Sequence, residues 1–77
     1  MLDCNGFKAR LREARIKAGI SIPMVTRHLD VPHKKVYGWE GIGELPTLDE
    51  FASLCDYYNA DPAWILFGNK TADAEKG

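Results

Sequence analysis

Pro32 is the residue that most constrains this chain. It sits inside "HLDVPHKKVYGWE", where a helix end, a turn and a helix start share thirteen residues. A proline disfavours the helical conformation in the residue before it, here Val31. A helix entering this stretch must therefore stop by Asp30, a residue that tolerates the left-handed closing position. Pro32 then opens a further helix, because its missing amide would find no partner in a first turn anyway. Two helices joined by a three- or four-residue turn follow from this one position.

The neighbouring segments also read as helices. Phe7, Leu11, Ala14 and Ala18 recur at helical spacing between basic residues. With Asn5 as N-cap and Gly19 as the stop, the first helix is expected at about 7–18. Ser21 caps a second helix at about 22–29, with Pro23 in its first turn and Val25 and Leu29 on one face. In the third, Val36 and Trp39 share a face, with His33, Lys34, Tyr37 and Gly38 on the others, and Gly41 and Gly43 end it. "TLDE", Thr47–Glu50, is a capping box. It begins a helix at about 48–58, whose apolar stripe is expected to be Leu48, Phe51, Ala52, Cys55 and Tyr58, with Leu54 beside it. Asp61-Pro62 opens a short last helix that stops at Gly68. No segment alternates with period two, so the expectation is an all-α chain of five helices. Its organisation reads as an N-terminal arm at 1–6, one domain at 7–68, and a flexible tail or linker start at 69–77.

Several function classes are disfavoured by what the sequence lacks. A chain of 77 residues makes one domain with a small core. No apolar run approaches the roughly 20 residues of a membrane span, and "MLDCNGF" has no secretory character, so a cytoplasmic protein is expected. Cys4 and Cys55 form no metal-binding spacing and the two histidines add none, so no metal and no cofactor are expected. There is no Ser-His-Asp arrangement, nucleotide loop or paired acid, and His28 reads as a helix-face residue, so the chain is not expected to be an enzyme.

The net charge of −1 conceals an asymmetry. Residues 1–40 carry eight cations against four acids, and residues 41–77 carry two cations against seven acids. The basic part suits a phosphate backbone while the acidic part faces away. Chance asymmetry in a short chain is the plainer alternative.

"AGISIPMVTRHLDVPHKKVYGWE", followed by a loop, Pro46, a capped helix and "WILFG", resembles the Cro/CI-type (XRE-like) helix-turn-helix family of phage repressors and related bacterial regulators. The resemblance runs from Phe7 to Gly68 and implies a lambda-repressor-like five-helix bundle. It implies a regulator that binds double-stranded operator DNA as a homodimer, with the third helix in the major groove. By position it assigns base reading to His33, Lys34, Lys35 and Gly38; without the resemblance, "HKK" reads as an ordinary solvated helix start. Contacts to the DNA backbone are expected from Ser21 and Ile22 at the start of the second helix, from Tyr37, which otherwise covers the rim of the core, and from Arg27, Arg10 and Arg12, with Lys8 in support; the alternative for the cations of the first helix is a solvated face. Arg15 and Glu40 occupy the places of a structural ion pair. Trp64, Ile65 and Phe67 are expected at a dimer contact, or wrapped under the first and fourth helices.

Three positions depart from the family pattern. Ile22 stands where a phosphate-holding glutamine is common. The loop Gly41-Ile42-Gly43-Glu44 has no cation. Gly38 lacks a side chain that frequently reads a base. Other cations or dimerisation can compensate; otherwise the scaffold serves as a protein-interaction module, an antitoxin or accessory regulator, with weak DNA binding or none.

Overall fold

The computed structural model describes residues 4–68. Five helices follow in order: α1 Cys4–Lys17, α2 Ile22–Leu29, α3 His33–Glu40, α4 Leu48–Tyr58 and α5 Pro62–Phe67. No strand occurs among the described residues, and the architecture is all-α. The segment 69–77 expected to be a tail lies outside the described residues, as do residues 1–3 of the expected arm.

α1 is helical from the first described residue, so Asn5 stands inside it and is not its cap. Near this end the Phe7 ring lies 5.5 Å from Phe51 and both are buried, and tertiary contact commonly outweighs end effects in short helices. The other end closes locally. Gly19 takes φ +76°, its amide donates to Ile16 O at 3.0 Å, and the Ile20 amide donates to Arg15 O at 3.1 Å. This is the paired closure that a left-handed glycine allows. Ala18, expected on the apolar stripe, falls in that turn and is exposed.

The central corner forms as the Val31-Pro32 step dictates. Ser21 caps α2, its Oγ accepting the Met24 amide at 3.4 Å. α2 ends at Asp30 with φ 56°, and Val31 N donates back to Thr26 O at 3.1 Å. Pro32 is extended and stands at the N-cap of α3. Thr47 and Glu50 complete the capping box of α4, Thr47 Oγ1 accepting the Glu50 amide at 3.1 Å and Glu50 Oε1 accepting the Thr47 amide at 2.8 Å.

Each helix contributes to the deepest part of the core. Leu11 of α1, Val25 of α2, Val36 and Trp39 of α3, Leu54 of α4 and Ile65 of α5 are fully buried. Ile20, between α1 and α2, joins them. Leu29 and Val31 pack against this cluster but stay partly exposed. The face of α4 differs from the expected stripe. Phe51, Leu54, Cys55 and Tyr58 are buried, whereas Leu48 is 83% exposed and Ala52 is exposed. Steps of three, one and three make a single helical face; Leu48 lies at the helix tip and Ala52 over 90° round the axis from that face's centre. Burial pushes the Cys55 thiol up to about 11, so it stays protonated near neutrality and packs as a small hydrophobe.

This arrangement separates two leucines of one helix. Leu54→Ala is expected to cost ~2–5 kcal/mol of folding stability, and Leu48→Ala no more than ~0.5 kcal/mol. Urea unfolding followed by circular dichroism checks both; equal losses would contradict the observed face of α4.

Candidate nucleic-acid interface

α3 turns Val36 and Trp39 inward, directs Glu40 toward α1, and leaves its first three residues and Tyr37 open. Val36 and Trp39 are buried beneath it, while His33, Lys34, Lys35 and Tyr37 are exposed. Lys34 makes no hydrogen bond or ion pair among the described residues. Lys35 Nζ lies 3.1 Å from Glu50 Oε2, a solvated pair of the kind worth ~0–1 kcal/mol, so it can exchange partners. The His33 ring lies 6.5 Å from that of Tyr37.

The inner side of α3 is clamped to α1 by Arg15 and Glu40. Arg15 Nε donates to Glu40 Oε2 at 2.7 Å and Arg15 Nη2 to Glu40 Oε1 at 3.1 Å. Arg15 Nη1 donates to Ile20 O at 2.8 Å. The two side chains are only 11% and 6% exposed. The hydrogen bond to Glu40 raises the Arg15 pKa against the opposing effect of burial. A planar guanidinium is suited to this two-pronged geometry, and a lysine could not reproduce it.

Two further cations of α1 are engaged within the fold. Lys8 Nζ donates to Gly38 O at 2.6 Å and Gly43 O at 3.2 Å, with Glu44 O at 3.5 Å. A cation at the C-terminal end of α3 meets carbonyls that the helix leaves unpaired and the negative end of its dipole. Arg10, expected at a DNA phosphate, instead donates from Nε to Ile65 O at 2.9 Å and from Nη2 to Leu66 O at 3.2 Å. It serves as the C-terminal cap of α5 for the same electrostatic reason. Arg12 and Arg27 remain exposed on α1 and α2.

Gly38 has a different setting from the one its position implied. The loop at 41–44 folds back onto it, and a Cβ built at Gly38 would point at Glu44 N and the Gly43 Cα, both at 3.5 Å. A Cβ at Gly43 would lie 2.7 Å from the Gly38 Cα, and Gly43 has φ +152°. Gly38 is thus a packing position for the loop. The signal was present in the glycines of "YGWEGIG", since paired glycines mark close backbone approach.

At the start of α2, Ser21 is exposed and its hydroxyl keeps a proton to donate after accepting the Met24 amide. Ile22 packs partly against the core, which leaves its backbone amide as its polar group there. At the far end of the molecule, Ile65 is fully buried, Trp64 is partly buried, and Phe67 is 56% exposed. Ile65 is therefore a core residue and is removed from the expected dimer contact, because a side chain filling the centre has no surface to offer.

The model of the family described as "Helix-turn-helix domain" matches residues 7–64, which contain the α2–α3 corner and its clamp. The chain belongs to the helix-turn-helix domain family. The match is consistent with the Cro/CI-type (XRE-like) resemblance of its sequence. This domain type points to a DNA-binding regulator. No curated protein matches the chain. Among the described residues, no helix is long and apolar enough to cross a membrane.

The clamp and the surface pair of this helix-turn-helix domain differ in burial and should differ in weight. Arg15→Ala leaves Glu40 buried and unpaired and is expected to cost ~3–5 kcal/mol, against ~0–1 kcal/mol for Lys35→Ala, both read by urea unfolding. Glu50 supplies a pH test. The Thr47 amide first, and Lys35 second, hold its carboxyl below the ordinary value of 4.5. The unfolded chain takes up this proton at higher pH than the folded one, so the stabilisation is complete above the ordinary value and fades as pH falls through the lower, folded value. Glu50→Gln should lose that dependence in a pH series of unfolding curves.

Proposed function

We propose that this protein is a sequence-specific transcriptional regulator of double-stranded DNA, of the phage or prophage repressor type, which binds a palindromic operator as a homodimer. The observation that carries the reading is the two-sided character of α3: one side held by Trp39, Val36 and the Arg15–Glu40 clamp, the other open with His33, Lys34 and Tyr37 exposed. A recognition helix needs that combination, because base discrimination requires a rigid presentation of a few polar side chains to the major groove.

The roles follow from chemistry and position. Lys34 and Lys35 donate to guanine O6 and N7, and His33 bonds an acceptor in the same groove. Tyr37 reaches a phosphate through its hydroxyl. Ser21 and the Ile22 amide, at the start of α2, meet the backbone on one side, and Arg27 and Arg12 supply charge. Lys8, Arg10 and Arg15 shape the domain. Phe67, with Trp64 beside it, gives an apolar surface for the second copy. No bond chemistry is required: the domain occupies the groove and thereby excludes or recruits polymerase.

The test is selection from a random duplex pool with the purified protein at two salt concentrations. An enriched inverted repeat is the expected result, with Lys34→Ala losing ~1–3 kcal/mol of affinity and the preference at one base position. Salt-sensitive retention without enrichment would indicate backbone binding alone. No retention at either salt would overturn the reading in favour of a protein-interaction module on the same fold.

A further inference from the structure

The loop after α3 carries an isoleucine that nothing in the fold uses. Ile42 is fully exposed, although isoleucine is among the residues most often buried. It stands between Gly41 and Gly43, and the loop is held firmly. Gly43 is pressed against Gly38 so closely that neither backbone leaves room for a Cβ at 43. Lys8 ties Gly38 O and Gly43 O to α1 at 2.6 Å and 3.2 Å. The result is an apolar side chain on a fixed backbone. Ile42 lines the same shallow depression, of about 380 Å³, as Lys34, Lys35 and Gly38. Gly38 contributes no side chain to this depression, and Ile42 does.

The chemistry of the loop limits what it can meet on DNA. It has no side-chain donor for a phosphate, and the acid Glu44 lines the same depression, which disfavours a close approach to the backbone. Base edges in the major groove are polar with one exception, the C5-methyl group of thymine. We propose that Ile42 is a specificity-determining residue that packs on a thymine methyl beside the base faced by Lys34. This rests on the reading of α3 as the recognition helix. Because the loop is fixed by Lys8 and the two glycines, little conformational freedom is lost when the contact forms.

The experiment uses the full chain and the operator obtained by selection. Each thymine of the half-site is replaced in turn by deoxyuridine, which pairs identically but lacks the methyl group, and affinity is measured for the wild type and Ile42→Ala. The expected result is one thymine per half-site whose replacement weakens the wild type about fourfold, the equivalent of one buried methyl group, while Ile42→Ala is insensitive to it. Deoxyuridine effects that are equal in the two proteins at every position would overturn the proposal while leaving the recognition-helix reading intact. So would an Ile42→Ala loss that is the same on every sequence, which would place Ile42 on the deoxyribose. Absence of any operator would overturn both. Ile42 is fully exposed, so circular dichroism of the variant should match the wild type.

Discussion

The Arg15 guanidinium is the joint on which the domain turns. One side chain binds the Glu40 carboxylate with two nitrogens and the Ile20 carbonyl with a third. It thereby joins α1, the end of α3, and the connection into α2. The pair is nearly removed from water, so its net contribution against an apolar substitute is small, while its geometry is demanding. A short helix such as α3, eight residues long, has little stability of its own. Its orientation has to come from contacts at its C-terminal end and below, and Arg15–Glu40, Lys8–Gly38 and the Val36–Trp39 pair provide them.

The positive character of the N-terminal half therefore divides into two populations. Lys8, Arg10 and Arg15 point along the buried edges of α1 and neutralise carbonyls or a carboxylate at helix ends. Arg12, Lys17, Arg27 and Lys34 face solvent without partners among the described residues, and Lys35 lies between the groups, held loosely by Glu50. Formal charge overstates what α1 offers an external polyanion, since three of its five cations are engaged within the fold. The exposed cations are spread over α1, α2 and α3.

The loop at 41–44 illustrates how a departure from a family pattern can be compensated internally. The family pattern has a cation in this loop and a longer side chain at 38. Instead Gly38 and Gly43 allow two backbones to meet, Lys8 fastens them, and Ile42 is presented outward. Tyr58 is a different kind of exception. Its hydroxyl is buried without a hydrogen-bond partner among the described residues, and burial pushes its pKa well above the usual tyrosine range.

Local chemistry was sufficient to read most element boundaries from the sequence. Ser21, Asp30, Thr47, Asn59, Asp61 and Gly68 stand at helix ends, of which only Asn59 was not singled out beforehand, and Pro32 located the corner. These signals involve residues within four positions of each other, so sequence order carries them in full. What the sequence did not reveal was the destination of the long side chains. Arg10 and Arg12 are both basic residues on α1, yet one caps α5, 55 residues away, and the other is exposed. Leu48 and Leu54 share a helix but not an environment, and Ile65 and Phe67 part in the same way. Periodicity gives a face to within a residue or two; which neighbours cover that face depends on how five helices pack. The sequence by itself determined the helices, most of their ends and the helix-turn-helix corner. Only the tertiary structure decided which cations hold the domain together and which remain at its surface, because flexible side chains choose between solvent and distant carbonyls only once the chain has closed on itself.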